Sequence, residues 1–401
     1  MFRNAGKAAT LALVAGFSAP PAALAIDIPT LRAKLAAQQS QLSSTSGAYV
    51  RDLVTGRTLY GRNSTRNRSP ASNEKLLVTA AALLAYGDPD TRLRTELVAA
   101  AEPAGGVIAG DVALVGVGDP YLTTTRLRMV ASQLKALGVT EIRGRILGDG
   151  SFFDARRGSY DSAWQYDSDL GGSLGGLVVD YGRGTDPALY TAQRLRAQLL
   201  SVGIKVRKAA VAGSLAGAPV PLASASSLAL EDMIARINVP SDNFASEMLL
   251  KHLGGAFGSR GSTPAGATVV KAALAEIGVV ARPYDGSGLS RADQVSPREV
   301  VDLLTEMAAL PEVGEALDQS LAVAGRTGTL ADRMRSSRAA GRCRAKTGTL
   351  RGVSALSGYC STTSGNPVAF SFIENNMSEY TAKQVEDRMT ALIARYSDPD
   401  S

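Results

Sequence analysis

The sequence predicts a mixed α/β (α+β) fold in which hairpins and helices at both ends enclose a sheet-rich inserted module. Three observations carry this. An Ala- and Leu-rich helical run follows a first hairpin. Short β-like pieces and glycine-rich turns replace it from about Asp88 to Ala225. A second hairpin, with helical stretches around it, closes the chain. At 401 residues the chain exceeds the size at which single cores stop growing, which points to two domains. The expected division is 26–87 with 226–401 as one domain and 88–225 as the insertion.

Each element has its own signal. Residues 1–25 read as a signal peptide: Arg3 and Lys7, an apolar stretch from Ala8 to Phe17, and the small-residue cleavage pattern Ala23-Leu24-Ala25. The alternative, a buried helix, meets Pro20-Pro21, which would break it. Leu31 to Leu42 reads as a helix, Gly47 to Arg62 as a hairpin around Thr55-Gly56, and Ser72 to Tyr86 as a helix. Within the insertion, Val112–Val115 and Arg145–Leu147 read as strands and Met129 to Leu137 as one helix. Helical periodicity returns at Ser227–Ile237, Asp242–Leu253, Thr268–Ile277 and Pro297–Leu310. Arg342–Thr347 and Val353–Cys360 form a hairpin, then come a strand at Val368–Glu374 and a helix from Glu379 to Tyr396.

Composition excludes several functions. Aromatic residues make up 5% of the chain, too few for a single-stranded nucleic-acid stacking platform. No run beyond the leader is long and apolar enough to span a membrane. One histidine, His252, and two cysteines, Cys343 and Cys360, cannot supply the ligands of a zinc site, and no other metal or cofactor is implied. His252 lies in an apolar-periodic stretch and reads as a helix-surface residue, so a hydrolase here needs a base other than histidine. Without Arg3 and Lys7 the chain carries 41 basic against 37 acidic residues, a net +4. That mild excess suits an anionic wall polymer and equally suits plain solubility.

Three motifs occur in one order: Ser72-Asn73-Glu74-Lys75, Ser241-Asp242-Asn243 and Lys346-Thr347-Gly348. This set marks penicillin-binding proteins and class A β-lactamases. Singly each is weak, and Ser132-Gln133-Leu134-Lys135, Ser364-Gly365-Asn366 and Arg326-Thr327-Gly328 are decoys outside that order. Residues i and i+3 share a helix face, so Lys75 can bring its amine to the Ser72 hydroxyl. The lysine serves as base only when neutral, which requires burial or a nearby cation, with Lys346 a candidate. Lys346 with the Thr347 and Thr349 hydroxyls beside Gly348 can hold a terminal carboxylate. The backbone N–H groups of Ser72 and Thr349 can form an oxyanion hole. Ser241 would relay a proton and Asn243 would fix the substrate amide. Each also has a bland reading: Ser72 as an N-cap, Asn243 as a turn former, Lys346 as a solvated strand charge.

Longer strings carry a family resemblance: Pro70-Ala71-Ser72 into Lys75-Leu76-Leu77, Gly116–Leu122, Ser241–Leu250, Asp285–Arg291, Gly328–Met334 and Ala345–Tyr359. The chain resembles the class C low-molecular-mass penicillin-binding proteins, D-alanyl-D-alanine carboxypeptidase/endopeptidases. The resemblance implies a penicillin-binding transpeptidase/β-lactamase-like domain, an antiparallel sheet flanked by helices, interrupted by the inserted domain. Ser72 and Ser241 stand 169 residues apart, less than in members with two inserted domains, which implies that one is reduced or missing. It implies an exported enzyme, periplasmic or secreted and wall-associated, whose partners are peptidoglycan stem peptides and β-lactams. By resemblance Asp149 contacts the free amine of a diaminopimelate side chain, although glycine-flanked aspartates also serve turns.

Numbering that sums to 703 across the hairpin sets Cys343 opposite Cys360 and Lys346 opposite Ser357. A disulfide there would lie on the strand face away from Lys346. Two free buried thiols are the alternative. Rival functions are a β-lactamase, for which the E-x-x-N motif is missing, and a non-catalytic wall-binding protein, for which Glu74 paired to Lys75 would be the sign.

Overall fold

A computed structural model describes residues 25–397; the signal-peptide expectation falls outside them except for Ala25. The first stretch comprises α1 (Ile28–Gln39), β1 (Gly47–Asp52), β2 (Thr58–Arg62) and α2 (Glu74–Tyr86). Next come β3 (Arg92–Ala99), β4 (Val107–Ile108), β5 (Val112–Val115), α3 (Thr124–Ala136), β6 (Glu141–Ile142) and β7 (Ile146–Asp149). They are followed by α4 (Pro187–Ser201), β8 (Lys205–Val206), β9 (Val211–Ala212) and β10 (Val220–Ala229). The last stretch holds α5 (Leu230–Asn238), α6 (Asn243–Ala256), α7 (Thr263–Glu276), α8 (Pro297–Ala308), α9 (Pro311–Gln319) and β11 (Ala322–Val323). It ends with β12 (Cys343–Leu350), β13 (Val353–Ser361), β14 (Pro367–Asn375) and α10 (Glu379–Ile393).

One antiparallel sheet, in the order β11-β12-β13-β14-β1-β2, joins the two ends of the chain. Side chains alternate across it as the pleat requires. Val368, Phe370 and Phe372 pack with α1 and α10, whereas Ala369 and Ile373 face the cluster containing α2, α6 and α8. Helix α2 is buried along its whole run from Glu74 to Leu83, as suits an Ala- and Leu-rich helix apolar on every side. Gly87 stops it in the left-handed region at φ 69°, its N–H donating to the Leu83 carbonyl.

The segment between α2 and α5 holds a five-stranded sheet, β10-β3-β5-β7-β9, and a parallel three-stranded one, β4-β6-β8. Both share a core with α3 and α4. Two expectations need correction here. The segment has two helices rather than one, since α4 was missed, although Asp186 caps it and Pro187 opens it. Ser227, expected to start a helix, is still in β10, because pairing with β3 carries the strand to Ala229.

His252 is the third correction, because it is buried rather than on a helix surface. Its Nδ1 lies 2.7 Å from the Val117 carbonyl and its Nε2 2.5 Å from the Tyr86 hydroxyl, and burial lowers its pKa. One helical position earlier, Lys251 donates to Asp154 at 2.6 Å and to the Arg156 carbonyl at 2.9 Å. The Val117, Asp154 and Arg156 contacts tie loops of the inserted segment to α6.

The β12–β13 hairpin pairs Cys343 with Cys360 and Lys346 with Ser357. The two sulfurs are bonded, and they lie in the cluster of α1 and α10. The variant Cys343→Ser/Cys360→Ser is expected to lose about 3 kcal/mol, the loop-closure value for a loop of roughly this size, measured by denaturant unfolding. Two titratable thiols in denatured, unreduced protein would show the bond to be absent.

Candidate active site

Ser72 does not open the α-helix as expected; it sits in a 3-10 turn, Ala71–Asn73, that precedes α2. That turn runs directly into α2, and its first residue, Ala71, has a left-handed backbone at φ 47°. Lys75 lies in the first turn of α2, fully buried. Its Nζ is 3.1 Å from Ser72 Oγ, 2.7 Å from Asn243 Oδ1 and 2.5 Å from the Ser287 carbonyl oxygen. Burial pushes its pKa down to about 8, against the opposing pull of Asp285, Glu247, Asp242 and Asp293. Of the two causes considered from sequence, burial and a nearby cation, desolvation leads. A hydroxyl beside an amine that is neutral near pH 8 is an activated nucleophile.

The loop after α7 packs directly on this turn. A side chain at Gly288, at φ 79°, would come within 2.0 Å of the Ala71 carbonyl oxygen. Buried carboxylates hold the loop. Glu247 Oε1 accepts from the Gly286 and Ser287 amides at 2.8 Å each. Asp285 accepts from Gly288 at 2.6 Å and Ser290 at 2.7 Å. Glu74 is buried with both carboxylate oxygens unpartnered. Burial, then Asp285 and Glu247, raise its pKa well above the usual range, and no hydrogen bond joins it to Lys75 among the described residues.

Ser241 precedes α6 in the left-handed region at φ 67°, and no hydrogen bond joins its hydroxyl to Lys75 or Ser72 among the described residues. Strained non-glycine backbone of this kind costs about 1–3 kcal/mol and concentrates at functional sites. Asp242 caps α6 through the Ala245 amide and accepts from Tyr121 and Tyr181, both in the inserted segment. Asn243 Nδ2 donates to the Asp169 carbonyl at 2.9 Å, which turns Oδ1 towards Lys75.

Strand β12 brings the third motif. Lys346 is fully buried, its Nζ donating only to the Thr347 carbonyl among the described residues. Burial, and secondarily Lys75, hold its pKa well below the usual value. Thr347 Oγ1 donates to Thr329. Gly348 is required by close approach, since a Cβ there would lie 2.6 Å from the Pro70 carbonyl oxygen. Strand β11 pairs only as far as Ala345, so the edge of β12 from Lys346 onward has no strand partner on that side among the described residues; Lys346 to Gly348 are buried and Thr349 is exposed.

Asp149 is not brought to this cluster. Its Oδ1 accepts from the Ser151 amide in a turn, and it lines a separate cavity of about 240 Å³ with Asp154, Arg157 and Asp186. Sequence reasoning missed the Ser287 carbonyl, Glu247, the Asp169 carbonyl and the two tyrosines. The strings containing Glu247 and Ser287 were visible as resemblance but gave no role.

Comparison with known proteins identifies the family. The D-Ala-D-Ala carboxypeptidase 3 (S13) family pattern matches residues 15–172 and 179–396. A D-alanyl-D-alanine carboxypeptidase of Actinomadura sp. (strain R39) is 31% identical, over 88% of this chain and 81% of that protein. Carboxypeptidase DacB of Mycolicibacterium smegmatis is 27% identical, over 86% and 79%. Among solved structures, penicillin binding protein 4 from Haemophilus influenzae superposes with a TM-score of 0.79 at 20% identity, covering 90% of this chain and 99% of that one. These matches span nearly the whole described chain, insertion included, and the chain belongs to the D-Ala-D-Ala carboxypeptidase 3 (S13) family.

Proposed function

We propose that this chain is an exported, penicillin-sensitive serine D,D-peptidase that cleaves D-alanyl-D-alanine stem peptides of peptidoglycan through an acyl-enzyme on Ser72. The observation that carries the proposal is the 3.1 Å approach of the Ser72 hydroxyl to a buried Lys75 amine. Neutral Lys75 takes the Ser72 proton as Oγ attacks the penultimate D-alanine carbonyl. The backbone N–H groups of Ser72 and Thr349 receive the developing oxyanion, a contribution of about 100- to 1,000-fold in rate. Ser241 relays the proton held by Lys75 to the departing D-alanine amine, which returns Lys75 to its neutral form, and water then hydrolyses the ester. In this reading residues 26–87 and 226–401 form the catalytic domain and 88–225 the insertion.

Lys346, Thr347 and Thr349 take the substrate's terminal carboxylate, and Gly348 lets β12 lie close enough to do so. A buried lysine without an anionic partner is costly as a cation. An arriving carboxylate offsets that cost, which favours substrates ending in a free carboxyl group or β-lactams bearing one. Asn243 fixes the substrate amide. Asp149 is assigned to the free amine of a diaminopimelate side chain on the resemblance alone.

Incubation of the mature protein with a fluorescent penicillin should give a stable covalent adduct by intact mass, and Ser72→Ala none. A folded wild type that takes no label would leave a wall-binding protein, and rapid loss of the label would indicate a β-lactamase. Because the base must be neutral, the acylation rate should rise with pH through about 8 and fall about tenfold per unit below it. A flat profile from pH 6 to about 9 would exclude Lys75 as the base. Asp149→Ala should weaken turnover of diaminopimelate peptides and spare penicillin acylation; equal loss of both would mark a folding defect.

A further inference from the structure

We infer that Glu247 is a positioning residue for the acylation step: it fixes the Ser287 carbonyl on Lys75 so that the amine's lone pair points at Ser72. The inference rests on the reading of Lys75 as the base. A neutral lysine amine has two N–H donors and one lone pair. Lys75 Nζ has three neighbours within hydrogen-bond distance, and two of them, Asn243 Oδ1 and the Ser287 carbonyl, can only accept. When both N–H groups are directed there, the lone pair is left for the third neighbour, the Ser72 hydroxyl. Without the Ser287 carbonyl, the amine can rotate an N–H towards Ser72 and present no base.

That carbonyl is in a loop, and α6 is what holds it. Glu247 Oε1 receives the Gly286 and Ser287 amides, and Ser246 Oγ donates to the Gly286 carbonyl at 2.6 Å. A Cβ at Gly286 would come within 2.7 Å of the Ser246 carbonyl oxygen, so the loop lies directly on the helix. Asn243 and Glu247 are four apart on α6 and therefore share a face. One helix thus sets both acceptors of the lysine, Asn243 directly and Ser287 through Glu247.

The test compares Glu247→Ala, Glu247→Gln and Glu247→Asp in the full-length mature protein. The readouts are the penicillin acylation rate constant and the pre-acylation dissociation constant, with thermal unfolding to establish folding. Gln keeps an oxygen where Oε1 stands, whereas Asp keeps the charge and withdraws the acceptor by one methylene. Expected are acylation within about fivefold of wild type for Gln and losses of roughly 100-fold for Ala and Asp, the scale of a misplaced reacting group. The dissociation constants should stay within about threefold in all of them. If Ala fails to fold, Gln against Asp decides: a fast Asp variant with a slow Gln variant would assign the effect to charge and overturn the inference. Wild-type rates in Ala or Asp would overturn it too. An unlabelled wild type would sink the functional reading, and this inference with it.

Discussion

The Lys75 amine, removed from water and surrounded by acceptors, is the constraint on which the rest depends. It lies on a helix whose every side is packed, so it cannot leave, and desolvation makes its neutral form accessible near pH 8. The other parts of the site are arranged around its three partners. The left-handed backbone at Ala71 puts Ser72 on one side, α6 puts Asn243 on another, and the 285–290 loop completes the set. Gly288 and Gly348 are glycines because two separate backbones must approach the same turn more closely than a methyl group allows.

This arrangement explains how a long insertion coexists with a compact site. The inserted segment leaves after α2 and returns before α5, and it is tied to α6 rather than merely tethered. Tyr121 and Tyr181 hold the capping carboxylate of Asp242, the Asp169 carbonyl orients Asn243, and the Lys251–Asp154 pair is largely out of solvent. A buried ion pair of this kind adds little net stability, but removing one partner costs about 3–5 kcal/mol. The insertion therefore contributes to the register of the second motif, beyond any role in binding.

What could be read in the sequence was local. The triplets were legible because i, i+3 spacing on a helix and a strand motif need no tertiary information. The hairpin register was legible because β12 and β13 are joined by two residues, with Gly352 at φ 76°, so one pairing fixes all the others. What escaped depends on contacts between distant segments. Ser227 has weak strand propensity, yet pairing with β3 keeps it in a strand. His252 looked like a surface residue because its two hydrogen-bond partners, Val117 and Tyr86, come from other segments of the chain. Glu247 was one acid in a largely apolar helix until the loop it holds came into view.

The acids around Lys75 pose the remaining physical question, since carboxylates beside a lysine ought to keep it protonated. The burial that lowers the lysine also acts on several of these acids. Desolvation disfavours every charged form, so it raises Glu74 and Asp293 well above the usual range and Glu247 to about 7 while lowering Lys75. Glu247 is the intermediate case: the amides of Gly286 and Ser287 favour its ionised form, and burial and Asp285 oppose it. A water-filled site would reverse both effects together, ionising the acids and protonating the base. Close packing at α2, α6 and the 285–290 loop is thus a chemical requirement of the site as well as a structural one.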